Sequence, residues 1–217
     1  MMFEAIIFDF DGTLLDSDKM IVVTFEQLYK IYKPNIVPDK NKLLLFSGPP
    51  IKESLLKEFP DANQKEALDN FLKLSEINYI KYVKPFPYVK EMLTLLKKFN
   101  IKTALVTSKA RQATDFALKL TSLDGLFDFI ICADEVKNVK PDPEGVLLAL
   151  NHLNVKNKDN VVYIGDSEYD YMTAENAKLK FGFVTFSPRK LLANHKPDLS
   201  INDFETFTKG IINDQKN

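Results

Sequence analysis

The segment EAIIFDFDGTLLDS (residues 4–17) is an apolar run that ends in two acids, Asp9 and Asp11. Side chains two residues apart point to the same side of an extended chain, so both carboxylates face one pocket. Gly12 then permits a sharp turn, and Thr13 can hydrogen-bond its backbone. A simple Asp-Gly turn explains Asp11 but leaves Asp9 unexplained, because a buried acid costs desolvation free energy unless a cation meets it. The segment therefore predicts a strand that ends at a charged site.

Further short apolar runs follow, separated by segments with apolar residues at helical spacing. The runs are KTALVTS (102–108), FDFIICAD (127–134), NVVYIGDS (160–167) and FGFVTF (181–186). Continuous apolar strands alternating with helices are typical of a parallel sheet that helices cover on both faces. We therefore predict an α/β fold with a doubly wound, Rossmann-like parallel sheet. Its binding site should lie at the carboxyl ends of the strands.

Residues 16–84 break this rhythm, because their apolar residues follow a helical period between breakers such as KPNIVPD (33–39) and FSGPP (46–50). This pattern predicts an α-helical cap domain over residues 16–84, inserted into a core domain made of residues 1–15 and 85–217. A cap placed just after the acidic strand end can close over the site and exclude water.

The composition excludes several classes of function. The 29 Lys and Arg residues nearly balance the 30 Asp and Glu residues, so no overall positive field attracts nucleic acid or an anionic membrane. The apolar runs are too short to span a bilayer, and MMFEAII lacks the features of a signal peptide. We therefore expect a cytoplasmic protein with neither nucleic-acid nor membrane partners. The single cysteine, Cys132, fits a small core residue. The oligomeric state, monomer or dimer, stays open.

A second acidic site ends the run VVYIGDSEYD (161–170), which carries Asp166 at the strand end and Asp170 four residues later. If this strand neighbours the first one, Asp9, Asp11 and Asp166 converge. At about 5 Å and an effective dielectric constant near 20, each pair of charges repels by about 3 kcal/mol. Such a cluster needs a divalent cation or a shared proton, and carboxylate oxygens without His or Cys favour Mg²⁺.

Positive charge and anion-binding groups are also available. Lys140 precedes a proline and a predicted helix, where a fixed lysine can hold a phosphate or steady an acidic nucleophile. Thr107 and Ser108 end a strand where a helix N-terminus should offer free N–H groups to an anion. Each signal alone is weak, since a loop lysine is usually solvated and most such hydroxyls are helix caps.

In this order, the pieces DFDGT (9–13), VTS (106–108), KP (140–141) and GDSEYD (165–170) resemble the four motifs of the haloacid dehalogenase-like hydrolase superfamily. The resemblance spans nearly the whole chain, including a helical cap after the first motif. The segments FSGPPIKES (46–54) and VKPDPEGVLLAL (139–150) look most like its phosphoglycolate phosphatase and pyrophosphatase branch.

The resemblance implies a role for each motif residue. Asp9 would be the nucleophile that forms an aspartyl-phosphate, and Asp11 the general acid and base. Thr107 and Lys140 would hold the phosphoryl group. The residues implied at the Mg²⁺ site are Asp9, Asp11 through its backbone carbonyl, Asp166 and, as a ligand or a supporting residue, Asp170. Lys140 is thus counted among the catalytic residues.

Substrate choice is expected to reside in the cap, where Gly48 shapes a rigid turn and Lys52 could reach an anionic leaving group. A lysine in the first turn of a helix is more often solvated. Lys109 and Arg111 are candidates for a second anionic group of the substrate. His152 and His195 have no acid or nucleophile at motif spacing, so we expect surface or helix-end positions for both.

The leading hypothesis is a Mg²⁺-dependent phosphatase acting on a small phosphorylated metabolite, a phosphoglycolate-like monoester or pyrophosphate. Sugar-phosphate mutases of this superfamily carry a His shortly after the first motif, which this chain lacks, and its dehalogenases lack the second acid, which this chain has as Asp11. Phosphoryl transfer to another metabolite remains an alternative within enzymes. A non-catalytic anion-binding module is the alternative from another class, although two carboxylates would repel a phosphate that is only bound.

Overall fold

The computed structural model of the protein describes residues 3–216. Its main sheet has six parallel strands in the order β5-β4-β1-β6-β7-β8, and two further strands, β2 and β3, form a separate antiparallel pair. The strands are Ala5–Phe8 (β1), Leu15–Asp16 (β2), Lys84–Pro85 (β3), Lys102–Val106 (β4), Phe129–Ile131 (β5), Val161–Gly165 (β6), Lys180–Val184 (β7) and Leu199–Ile201 (β8). The predicted α/β fold with a doubly wound parallel sheet is confirmed.

Successive side chains of a strand point to opposite faces of the sheet, and five helices cover these two faces. They are Val89–Lys98 (α5), Arg111–Thr121 (α6), Glu144–His152 (α7), Glu168–Ala177 (α8) and Phe204–Lys216 (α9). In β1, Ile6 and Phe8 pack in the core with α5, α6 and α9, whereas Ala5 and Ile7 pack in the core with α7 and α8. Both faces of β1 are therefore buried, which explains its uninterrupted apolar sequence.

The central strand β1 lies between β4 and β6, and the register aligns Phe8 with Leu105 on one side and with Ile164 on the other. Because all three strands run in the same direction, the residues that follow them meet at one edge of the sheet. The expectation that the first strand neighbours the strand before Asp166 is thus met.

Residues between β2 and β3 form four helices with an apolar core of their own. The helices are Asp18–Tyr32 (α1), Lys40–Leu44 (α2), Ile51–Glu58 (α3) and Gln64–Tyr82 (α4). The rings of Phe25 and Phe46 stack with their centroids 4.4 Å apart, and Phe59 and Phe71 complete this aromatic cluster. The chain enters this helical unit through β2 and leaves it through β3, and these two strands pair in antiparallel fashion. We propose that this pair marks the boundary between the cap and core domains, close to residues 15 and 85.

Several elements were not predicted, namely β8, α9, the short helix α2 and the two-residue strands β2 and β3. The four elements other than α9 are too short to carry a periodic signal, whereas α9 does have one, since Phe204, Phe207 and Ile211 follow a helical period and pack on the core. No helix within residues 3–216 is long and apolar enough to cross a membrane.

Candidate active site at the carboxyl edge of the sheet

Three buried carboxylates meet where β1 and β6 end. Asp9, Asp166 and Asp170 each offer an oxygen atom, and these atoms lie within 4.8 Å of one another. The first two follow neighbouring strands, and the third comes from the first turn of α8. The expected convergence of Asp9 with Asp166 is present, but the third member is Asp170 rather than Asp11. The first turn of α8 returns over the strand ends and brings the Asp170 side chain into the cluster. Asp11, two residues after Asp9, lies farther out.

Lys140 supplies the positive charge of this cluster. Its Nζ lies 2.6 Å from Asp9 Oδ1 and 2.6 Å from Asp170 Oδ1, and the lysine side chain is buried. Burial opposes its charge, but the two carboxylates outweigh this effect and raise the pKa of Lys140 well above its ordinary value. The ammonium group therefore stays charged and holds the side chain of Asp9 in place. The loop before Pro141 brings this side chain inward, so Lys140 is not the solvated lysine that its motif alone would allow.

Asp170 is held on both of its oxygen atoms. Oδ1 accepts hydrogen bonds from Lys140 and from the Tyr163 hydroxyl at 3.0 Å. Oδ2 accepts from the backbone N–H groups of Asp166 and Ser167 and from the Ser167 hydroxyl at 2.5 Å. These partners lower the pKa of Asp170, although burial opposes them. With its oxygens so occupied, Asp170 is better placed to position Lys140 than to bind a cation directly.

Burial disfavours the charge on the other two acids. It raises the pKa of Asp9 to about 8, with Asp170 adding to the rise and Lys140 opposing it. Burial also raises the pKa of Asp166 to about 6, and the nearby guanidinium of Arg189 opposes that rise. An additional cation at this point would favour the ionised form of both carboxylates.

Asp11 lies beside the cluster and meets a different set of groups. Its Oδ2 pairs with Lys109 Nζ at 2.9 Å, and its Oδ1 accepts a long hydrogen bond of 3.4 Å from the hydroxyl of Tyr79 in α4. Lys109 also lies 4.7 Å from the centre of the Tyr79 ring. The two acids of the first motif are therefore in different environments, one buried against Lys140 and the other at the edge of the cap.

The loop after β4 contains the predicted anion-binding groups. Thr107 is buried, and its hydroxyl accepts a hydrogen bond from the Lys109 N–H at 3.2 Å. The Ser108 hydroxyl is buried and has no hydrogen-bond partner within residues 3–216. The helix that follows is less available than expected, because Asp134 accepts a hydrogen bond from the first N–H of α6, that of Arg111. Anion binding would thus depend on the loop of Thr107 and Ser108.

Arg111 does not contact the cluster. Its guanidinium pairs with Glu135 at 2.6 Å and donates to the carbonyl of Ile130 at 2.9 Å. It also contacts Asp115, one turn along α6. These partners occupy the guanidinium, so the structure does not place Arg111 as a second anion-binding residue.

The cap residues differ in their proximity to the site. Gly48 has a φ of +126°, and a Cβ atom there would lie 3.5 Å from the side chain of Ser167, so the cap loop lies against the edge that carries Asp166. Lys52 is exposed in the first turn of α3. Gly12 lies within the site itself, since a Cβ atom there would lie 2.2 Å from Asp166 Oδ2.

The remaining candidates lie outside the cluster. Cys132 is buried, and burial raises the pKa of its thiol to about 11. His152 is exposed at the end of α7, as expected. His195 is half-buried instead, with its Nδ1 2.7 Å from Glu168 and its ring stacked on Tyr171. His195 is thus only partly at the surface, and its partner Glu168 lies 27 residues away in sequence, at no motif spacing.

The sequence patterns missed one buried charge, Arg189. Its Nη1 lies 2.6 Å from Asp166 Oδ2, and its Nη2 lies 2.5 Å from Asp18 Oδ1, at the start of α1. The flanking SPRK segment (187–190) contains no motif that predicts this contact. The one feature of the sequence that could have indicated Arg189 is its position shortly after a strand, because the loops that follow the strands lie at the edge of the sheet that carries the site.

The donor set fits a hard divalent cation. Oxygen atoms alone make up the cluster, which suits Mg²⁺ better than Zn²⁺. Within residues 3–216, Asp166 Oδ1 accepts no hydrogen bond, and Asp9 Oδ2 accepts one of 3.3 Å from Thr13. Two oxygens therefore remain available on acids whose charge is disfavoured without a cation.

This geometry agrees with what the chain is similar to. A family model for haloacid dehalogenase-like hydrolases matches residues 6–184. The chain belongs to the haloacid dehalogenase-like hydrolases. It is therefore an enzyme, and the resemblance carried by its four motifs is confirmed. Together with the pyrophosphatase relatives described next, this match identifies it as a phosphatase of that family.

Individual members of the family match over nearly the full chain. It is 30% identical to the pyrophosphatase PpaX of Bacillus anthracis over 204 residues, 93% of each protein. It is 32% identical to PpaX of Halalkalibacterium halodurans, over 87% of this chain and 86% of the relative. A solved structure described as a haloacid dehalogenase-like hydrolase from Bacteroides fragilis has a TM-score of 0.84 at 28% identity, covering 94% of this chain and 99% of the other.

Proposed function

We propose that this phosphatase cleaves a small phosphate compound in a Mg²⁺-dependent reaction that passes through an aspartyl-phosphate on Asp9. The observation that carries the proposal is a buried carboxylate at the end of β1, held at 2.6 Å by a buried lysine and adjacent to a second carboxylate with an unoccupied oxygen. A site that only bound phosphate would gain nothing from these negative charges. A nucleophilic carboxylate in a covalent mechanism requires such an arrangement.

In the first step, an oxygen of Asp9 attacks phosphorus and the bond from phosphorus to the leaving oxygen breaks. Lys140 is hydrogen-bonded to Asp9, so it orients the nucleophile and neutralises negative charge as the two anions approach. Asp11 transfers a proton to the leaving oxygen. The N–H of Ser108 and the hydroxyls of Thr107 and Ser108 bind the oxygens of the phosphoryl group, whereas the Thr107 N–H donates to the carbonyl of Ile131 at 3.1 Å.

In the second step, water attacks the aspartyl-phosphate, the bond between phosphorus and the Asp9 oxygen breaks, and inorganic phosphate leaves. Asp11, now ionised, accepts the proton of the water. Tyr79 and Lys109 hold Asp11 in place for both transfers. Mg²⁺, held by Asp9, Asp166 and the backbone carbonyl of Asp11, would supply charge neutralisation for the phosphate and keep Asp9 ionised.

Pyrophosphate is the substrate that we propose first. The PpaX relatives named above are pyrophosphatases, and they cover this chain over almost its whole length. The structure adds one supporting feature, which is the position of Lys109 beside Asp11. Cleavage of pyrophosphate releases phosphate, which is an anionic leaving group. A cation next to the general acid stabilises such a leaving group more than it stabilises a neutral alcohol. Phosphoglycolate, which also carries a second negative group, is the next candidate.

A phosphate-release assay on purified protein tests the proposal, with pyrophosphate, phosphoglycolate and a set of sugar phosphates as substrates. We expect release that requires Mg²⁺, is abolished by a chelator and is lost in D9N. K109Q should raise the KM for pyrophosphate, whereas K52Q shows whether the exposed cap lysine contributes to the choice of substrate. Absence of release from every compound, or full activity of D9N, would refute the proposed reaction.

Phosphoryl transfer to another metabolite is a second candidate. A solved structure described as a β-phosphoglucomutase from Thermotoga maritima matches with a TM-score of 0.76 at 26% identity. The chain has no His among its first 151 residues, so the His that mutases carry after the first motif is missing. Product analysis with a glucose phosphate distinguishes the two reactions, since a transferase forms the isomer and little free phosphate.

A further inference from the structure

Arg189 joins the metal side of the active site to the cap. Its side chain is buried, and it follows β7 on the loop that passes above the ends of the central strands. Nη1 contacts Asp166 Oδ2 at 2.6 Å and the Ser187 hydroxyl at 3.0 Å. Nη2 contacts Asp18 Oδ1 at 2.5 Å and donates to the carbonyl of Leu44 at 3.2 Å. One guanidinium therefore contacts one core carboxylate and two helices of the cap.

These contacts bury a charged group, which costs desolvation free energy, and they connect the core with the cap. A buried guanidinium is stable only when paired, and the carboxylates of Asp166 and Asp18 compensate for its desolvation. They raise the pKa of Arg189 despite burial, so it stays charged. Its Nε is buried without a hydrogen-bond partner within residues 3–216. The guanidinium is thus held at Nη1 by the core and at Nη2 by the cap, and not at Nε.

We propose that Arg189 is a positioning residue that closes the cap on Asp166 and competes with Mg²⁺ for that carboxylate. Without metal, Arg189 neutralises Asp166 and ties it to α1 and α2. A divalent cation on Asp166 repels the guanidinium and weakens the pair, so metal binding loosens the cap. This inference rests on the proposed Mg²⁺ site, and it goes beyond that proposal by assigning a direction to the coupling between metal and cap.

The direction of the effect distinguishes this role from a simpler one. If Arg189 only oriented Asp166 towards the metal, its removal would weaken Mg²⁺ binding. If it competes with the metal, its removal strengthens binding, because a unit positive charge beside a divalent ion is lost. A gain of about tenfold in affinity is expected from this charge alone even in a water-like dielectric.

Calorimetric titration of the protein with Mg²⁺, without substrate, measures this effect. We expect R189Q to bind Mg²⁺ about tenfold more tightly than the wild type, and R189K, which keeps the charge, to stay near the wild type. R111Q removes an equal charge from a guanidinium that pairs with Glu135 and Asp115, away from the cluster, and should leave the affinity unchanged. Unchanged or weaker binding by R189Q overturns the proposal.

Amide hydrogen exchange measures the cap side of the same contact. Exchange in residues 39–46 and 17–21 should be slow in the metal-free wild type, faster with Mg²⁺, and fast in R189Q with or without Mg²⁺. D18N removes one cap partner and keeps the pair with Asp166, so it should speed exchange in these segments without tightening Mg²⁺ binding. Slow exchange in D18N, or no response of the wild type to Mg²⁺, overturns the coupling. If the wild type binds no Mg²⁺ at all, the proposed metal dependence fails as well; if it binds and R189Q behaves like the wild type, only the role of Arg189 fails.

Discussion

Asp9 carries a charge that the metal-free site disfavours, and this has a consequence for stability. Its pKa is about 8 in the folded protein, against 3.8 as the ordinary value, because burial and Asp170 outweigh Lys140. The folded state therefore holds this proton more tightly than the unfolded state does. The stabilisation from this group is fully present below about pH 4 and is lost as the pH rises through 8.

A variant that cannot ionise should escape this loss. We expect D9N, in the presence of a chelator, to keep its melting temperature between pH 5 and pH 8.5 better than the wild type, which should lose stability over that range. Thermal unfolding followed by circular dichroism is the measurement, and D61N, at an exposed cap position, is the matched control. A clearly lower melting temperature of D9N at pH 8.5 would mean that the ion pair with Lys140 outweighs burial.

Lys140 presents the opposite case, since its removal leaves carboxylates unpaired. Truncation of one partner in a buried ion pair costs about 3–5 kcal/mol. We expect K140Q to lose about this much unfolding free energy at pH 7.5, together with its activity. Urea unfolding measures the loss, and K109Q is the control, because the partly exposed pair of Lys109 with Asp11 should cost about 1 kcal/mol or less. Equal losses in the two variants would contradict the distinct role assigned to Lys140.

At the scale of elements, the strand ends were predictable because they obey a local rule. Apolar runs that stop at Asp9, Thr107 and Asp166 define parallel strands, and parallel strands in one sheet bring those residues to one edge. The identity of the third carboxylate was not predictable in this way, because the path of the first turn of α8 decides it. Arg189 was further out of reach, since it lies 23 residues from Asp166 and 171 from Asp18. Periodicity predicts elements, but only tertiary packing determines which loop returns to the site.

The turn after β1 is an element whose geometry admits only glycine. Gly12 has a φ of +84°, and a Cβ atom would also lie 2.9 Å from Arg189 Nη1. The left-handed conformation alone costs another residue about 1–3 kcal/mol. We therefore expect G12A to lower the melting temperature and to displace Asp166, which would weaken Mg²⁺ binding in a calorimetric titration.

A second glycine provides the control for this prediction. Gly210 lies in α9, and a Cβ atom added there would meet no described atom within 4 Å, so G210A should raise stability by about 0.5–1 kcal/mol through helix propensity. If G12A were as stable as the wild type and bound Mg²⁺ equally well, the close packing of this turn against Asp166 would be wrong.

At the scale of the whole molecule, protons and metal compete for a site that the cap covers. Asp9 and Asp166 have pKa values of about 8 and about 6, so at pH 5 both are largely protonated in the folded, metal-free protein. Mg²⁺ must then displace protons to bind, whereas at pH 8.5 most of them have already left. Metal affinity should therefore rise with pH across this range, as it does wherever ligands must be deprotonated.

The stabilisation by Mg²⁺ should follow the same trend, because a ligand that binds only the folded state stabilises it in proportion to the logarithm of its affinity. We expect a saturating dose of Mg²⁺ to raise the melting temperature little at pH 5 and substantially at pH 8.5. Calorimetry in two buffers of different ionisation enthalpy should show protons released at pH 6 and fewer at pH 8.5. D166N, which lacks one of the two titrating ligands, should bind more weakly at every pH and release fewer protons. A melting-temperature shift independent of pH would contradict the competition, because it would mean that Mg²⁺ binds groups that are already ionised at pH 5.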